Sequence, residues 1–91
     1  MKKKYLEYIT RGTCARLIRL TLTEDNVIEK VVFVSGCAGN TQGVATLAVG
    51  MRAEDAIARL SGIRCGMKPT SCPDQLAKAL AACMSQEATE V

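Results

Sequence analysis

Ala15-Arg16-Leu17-Ile18-Arg19-Leu20-Thr21-Leu22-Thr23-Glu24-Asp25-Asn26-Val27-Ile28-Glu29-Lys30-Val31-Val32-Phe33-Val34 is the stretch on which the fold turns. Leu17, Arg19 and Thr21 alternate with Ile18, Leu20 and Leu22, a period of two that reads as a half-buried strand. Glu24-Asp25-Asn26 is a polar hairpin turn. Alternation resumes over 27–35 with Val27, Val31, Phe33 and Val34, so this segment pairs back antiparallel.

Upstream, Thr10-Arg11-Gly12-Thr13 reads as a turn that delivers Cys14, and residues 5–9 as a short edge strand. Downstream, Ser35-Gly36-Cys37-Ala38-Gly39-Asn40 leaves the strand and enters a helix near Thr41. Its apolar positions are Val44, Leu47 and Ala48, and Gly50 ends it. Gly43 inside that helix costs about 1 kcal/mol relative to alanine, which suggests a close backbone approach. A second helix is predicted over 52–60, with Glu54 and Asp55 where the helix dipole favours acids. Ala53, Ala56, Ile57 and Leu60 form its apolar stripe, and Gly62 stops it. A loop over 62–71 carries Cys65. The last helix opens at Cys72, with Pro73 at its first position and Leu76, Ala79, Leu80 and Cys83 on one face. Residues 85–91 read as a loose polar tail. Strands precede helices, which is an α+β layout: a small antiparallel sheet of two or three strands, then three helices on one face. The 91 residues make one domain.

Hydrophobic residues make up 48% of the chain but only three residues are aromatic, so the core must be aliphatic. A core this small would benefit from a covalent or metal staple. Net charge is +3, with Lys2, Lys3 and Lys4 together; that run reads as a solvated, frayed end. No aromatic residues interleave with basic ones, so a nucleic-acid surface has little support. The opening residues have no apolar signal-peptide core, and no run approaches the roughly 18 apolar residues of a membrane span. A cytoplasmic setting is the expectation. There, cysteines serve as metal ligands, redox thiols or core residues more often than as disulfides.

Five cysteines and no histidine leave sulfur as the ligand set for any soft metal. Cys14 opens a strand, Cys37 sits in a strand-to-helix turn, Cys65 in a loop and Cys72 at a helix start. In an antiparallel sheet the start of one strand lies beside the end of the next, which brings Cys14 toward Cys37. Cys72 joins them if its helix starts at the same edge, and Cys65 is tethered to Cys72. Helix N-termini favour the thiolate, the form that binds metal. Four thiolates at about 2.3 Å make a closed tetrahedral zinc site, and the same four could hold an iron–sulfur cluster. Arg64 and Lys68 could offset the charge. Cys83 continues an apolar stripe and reads as core. The separations of 23, 28 and 7 residues contain no C-x₂-C knuckle, so convergence depends on the fold. An alternative is a redox pair of exposed thiols, Cys65 and Cys72.

Thr70-Ser71-Cys72-Pro73-Asp74 resembles the signature of the TSCPD domain, and Gly12-Thr13-Cys14, Gly36-Cys37-Ala38-Gly39-Asn40, Gln42-Gly43 and Cys65-Gly66 fit the same pattern. The chain is similar to small stand-alone members with four characteristic cysteines. Other members sit at the C-terminus of adenosylcobalamin-dependent ribonucleotide reductases, so the resemblance implies a link to deoxyribonucleotide synthesis, with ribonucleotide reductase or another redox enzyme as partner. The element order also resembles the NifU/IscU-type iron–sulfur scaffold, whose three cluster cysteines would correspond to Cys14, Cys37 and Cys72. Arg16 stands where that scaffold has an aspartate, and Ser71 where it often has a histidine. Both departures favour a closed four-thiolate site over a donating one.

Three functions follow as expectations. The first is a metal-binding accessory module holding zinc or an iron–sulfur cluster on Cys14, Cys37, Cys65 and Cys72. The second is a thiol redox shuttle, and the third a cluster-assembly scaffold. The chain is too short for a complete reductase, so an enzymatic role would be that of a subunit or appended domain.

Overall fold

The computed structural model describes residues 2–10, 16–34, 38–63 and 70–90, with backbone alone for 38–41 and 90. The elements run β1 (Lys2–Ile9), β2 (Leu17–Thr23), β3 (Ile28–Val34), α1 (Ala38–Ala48), α2 (Ala53–Leu60), α3 (Cys72–Met84) and β4 (Thr89–Glu90). The sheet order is β3-β2-β1-β4, with every pair antiparallel. The α+β reading holds.

The β2–β3 hairpin forms where the alternation placed it. Thr23 and Val27 close a three-residue loop, and Asn26 takes the left-handed conformation at φ 64° that such a loop needs. Asparagine tolerates this region better than most non-glycine residues. Ile18, Leu20, Leu22, Ile28 and Val31 point to one face and are buried there. They meet Leu76, Ala79, Leu80 and Cys83, the stripe read for the last helix, together with Ala48, Ala53 and Ala56. Burying each of the fully enclosed side chains Ile18, Leu22, Ile28, Leu76 and Leu80 contributes about 1.5–3 kcal/mol.

Between α1 and α2 the chain runs beside the start of β3. Gly50 N donates to Ile28 O at 2.8 Å, Ile28 N to Met51 O at 2.8 Å, and Ala53 N to Asn26 O at 2.8 Å. Gly50 (φ +91°) and Gly62 (φ +83°) follow the ends of α1 and α2, as helix-stopping glycines do.

Five local expectations change. β1 is eight residues long and starts at Lys2, and its outer side carries the two-residue β4. Thr89 and Glu90, in the tail read as loose, therefore pair with Lys3 and Lys2. The lysine run is not a frayed end: Lys4 is only 9% exposed, and its ammonium donates to Asn26 Oδ1 at 2.7 Å and to Met84 O at 3.0 Å. Its charge thus sits at the carbonyl end of α3, where the helix dipole favours a cation. Leu47 is 78% exposed, because α1 turns Val44 and Ala48 toward the core instead. A methyl group on Gly43 would meet nothing within 4 Å among the described residues, so no close approach explains that glycine.

Candidate functional site

The first turn of α3 is built by its own sequence. Ser71, extended at φ −148° and ψ 171°, is the N-cap, and its Oγ accepts from Asp74 N at 3.1 Å. Cys72 is therefore the first helical residue and Pro73 the second, one position later than read. Pro73 loses nothing there, because the first four amides of a helix have no intrahelical partner. Cys72 is a free cysteine, 7% exposed. The expectation of an exposed thiol is corrected for Cys72: Thr70, Ser71, Asp74 and Gln75 around it in sequence are all buried too.

The loop before α3 is tied to that turn from both ends. Asp74 Oδ1 accepts from Gly62 N at 2.7 Å, and Oδ2 accepts from the Thr70 hydroxyl. The Ser71 hydroxyl donates to Ile63 O at 2.6 Å, and Gln75 Nε2 donates to Thr70 Oγ1 at 3.1 Å. Lys78, one turn on, lies 3.4 Å from Asp74 Oδ2. The Thr70 hydroxyl and then the Gly62 amide hold the Asp74 carboxyl below its ordinary value of 3.8, against burial, with Lys78 adding to the effect. The sequence reading missed this use of Asp74. The spacing Ser71-x-x-Asp74 is a capping-box pattern, which signals the Ser71 cap but not the bonds of Asp74 to Gly62 and Thr70.

Cys14, Cys37 and Cys65 lie outside the described residues, as do Arg64 and Lys68. Their neighbours are placed. Thr10 N donates to Arg16 O at 3.2 Å across the segment containing Cys14. Arg16 N donates to Val34 O at 2.8 Å, and Leu17 pairs with Val34, just before the segment containing Cys37. α3 packs on β1 and β2, and its last carbonyl is held at Lys4. Thirteen residues of helix span about 20 Å, and the six steps from Lys4 to Thr10 span about the same. The carbonyl end of α3 is thus held about one helix length along β1 from Thr10, Leu17 and Val34, the end of the sheet that borders Cys14 and Cys37. No group of three or more metal-binding side chains occurs among the described residues.

Cys83 is separate from this end. It is fully buried in the core, and burial pushes its thiol up, partly opposed by the Lys4 ammonium. Its assignment to the core holds.

Residues 1–84 match the family model of the TSCPD domain, and the chain belongs to that family. No curated protein and no solved structure matches it. Among the described residues, no helix is long and apolar enough to cross a membrane.

Proposed function

From membership in the TSCPD family, we propose that this chain is a small metal-binding module whose ligands are the thiolates of Cys14, Cys37, Cys65 and Cys72. The observation that carries the reading is that the residues flanking the cysteines are bonded in two pairs. Arg16 and Val34, which border the segments of Cys14 and Cys37, meet at one end of the sheet, and Gly62, Ile63 and Thr70, which flank the segment of Cys65, are bonded to the helix turn that carries Cys72. The donor chemistry fits a soft or borderline ion, since the chain has five cysteines and no histidine. Zinc would supply a closed cross-link among three loops. An iron–sulfur cluster would add one-electron capacity. The link to ribonucleotide reduction, with the reductase or another cytoplasmic redox enzyme as partner, rests on family resemblance alone.

The test is elemental analysis of anaerobically purified protein, with alkylation of the native thiols in parallel. Zinc or iron near one site per chain, with Cys14, Cys37, Cys65 and Cys72 protected until chelation, is the expected result. Substoichiometric metal with these thiols freely alkylated overturns it.

Two other readings have less support. A Cys65–Cys72 redox shuttle needs an accessible attacking thiol, and Cys72 is buried. A cluster-donating scaffold has Ser71 at the position of its histidine, and that hydroxyl is committed to the helix cap and to Ile63 O.

A further inference from the structure

We propose that Asp74 is a positioning residue for this metal centre, holding the Cys65 loop against the helix turn that carries Cys72 without itself binding the metal. The proposal rests on the four-thiolate reading. A carboxylate two residues after a ligand cysteine invites assignment as a fifth donor, but the geometry points elsewhere. Asp74 is 6% exposed, and both of its oxygens are taken. Oδ1 accepts from Gly62 N, and Oδ2 accepts from the Thr70 hydroxyl with Lys78 beside it.

Capping α3 does not require these bonds, because Ser71 Oγ already receives the Asp74 amide. The partners of the carboxylate are instead the residues before and after the segment that contains Cys65. One side chain on a rigid helix thus bridges both ends of that loop. Ser71, through Ile63 O, makes a second bridge alongside. The residues that flank the segment of Cys65 are thus held at the turn that carries Cys72 before any ion arrives. Groups that orient metal ligands in this indirect way typically change metal affinity by about 10–100-fold when removed.

The experiment uses the full chain, reduced and anaerobic, loaded with cobalt(II) as a spectroscopic probe. Wild type, Asp74→Asn and Asp74→Ala are compared with Ile28→Val, a core change at the far end of the sheet. Cobalt release to a chelator is expected to speed up by about 10–100-fold in Asp74→Ala. Asp74→Asn should fall between the two, since its amide oxygen still accepts from Gly62 N. Ile28→Val should release at the wild-type rate within about a factor of two. At saturation the thiolate-to-cobalt absorption band should be the same in all four proteins. In the metal-free proteins, trypsin should cut after Arg64 faster in Asp74→Ala than in wild type.

Unchanged release in Asp74→Ala, or unchanged cleavage after Arg64, overturns the proposal alone. A shifted absorption band in Asp74→Ala also overturns it, because Asp74 would then be a ligand. A wild-type protein that takes up no cobalt overturns the four-thiolate reading, and the proposal with it.

Discussion

Lys4→Met removes an ammonium while keeping most of the apolar stem of a buried side chain. Lys4 is 9% exposed and donates to Asn26 Oδ1 and Met84 O. A hydrogen bond to a charged group contributes about 1.5–3 kcal/mol. A cation at the carbonyl end of a helix adds about 0.3–1 kcal/mol. Asn26 and Met84 are half-buried, so water can reach part of what the variant leaves unpaired. That brings the expected loss below the sum for two such bonds, to about 2–3 kcal/mol. For a domain of this size the loss lowers Tm by about 10–20 °C. With a urea m-value of about 1 kcal/mol/M, the midpoint falls by about 2 M. Circular dichroism at the helix band is the assay, because the chain has no tryptophan. Lys2→Met is the control: Lys2 is exposed, and its substitution should stay within about 0.5 kcal/mol. If Lys4→Met also stays within that margin, the ammonium does not hold α3 to the sheet, and the lysine run is solvated as its composition suggests.

Three further outcomes follow from the same structure. Gly43→Ala should stabilise the protein by about 1 kcal/mol in urea unfolding, since Gly43 is inside α1 with open space around it among the described residues; a loss of stability would mean that chain does approach it. For Asp74 the folded carboxyl titrates below its ordinary value, so its contribution is complete above the unfolded value and is lost as pH falls through the folded one. The stability gap between metal-free wild type and Asp74→Asn should hold from pH 7 to about 5 and shrink below about pH 4; a gap that widens in acid contradicts the assignment. Cys83 should resist iodoacetamide in the native reduced protein and react only on unfolding, because it is fully buried and its thiol is pushed up; alkylation at the rate of an exposed thiol would remove it from the core.

The parts of the fold that were legible in the sequence are those with a local cause. Alternation over 15–34 is a two-strand signal because each residue's face is set by its neighbours. The stripe Leu76, Ala79, Leu80, Cys83 is likewise set by helical spacing, and all four are fully buried. Lys4 was not legible, because its acceptor on Met84 is 80 residues away and a charge read alone belongs in water. β4 was not legible because two residues carry no period. Leu47 fits the helical spacing of α1, yet that short helix, poor in large apolar residues, buries among its described side chains only the narrow edge at Val44, Ala45 and Ala48. Of the four candidate ligands only Cys72 lies among the described residues, and its place at the start of α3 was legible from Pro73 and the apolar stripe that follows. The device that ties the Cys65 loop was not, since Asp74 binds a backbone amide twelve residues back in sequence.

The same ties bear on what the metal is for. A zinc finger is unfolded without its ion because the ion closes its loops. Here each cysteine-bearing segment is already fixed at described residues by bonds that involve no sulfur. Thr10 and Arg16 bracket the segment of Cys14, Arg16 holds Val34 before that of Cys37, and Asp74 and Ser71 hold the ends of that of Cys65. Of the two described cysteines, Cys83 belongs to the core that joins β2, β3 and the three helices, and Cys72 does not. Chelation should therefore leave the far-UV circular dichroism nearly unchanged and preserve a cooperative urea transition, with a lower midpoint. The metal's binding energy would then be available for redox tuning or partner docking and not consumed in folding the chain. Loss of the cooperative transition on chelation would refute this and make the ion the staple that so small an aliphatic core needs.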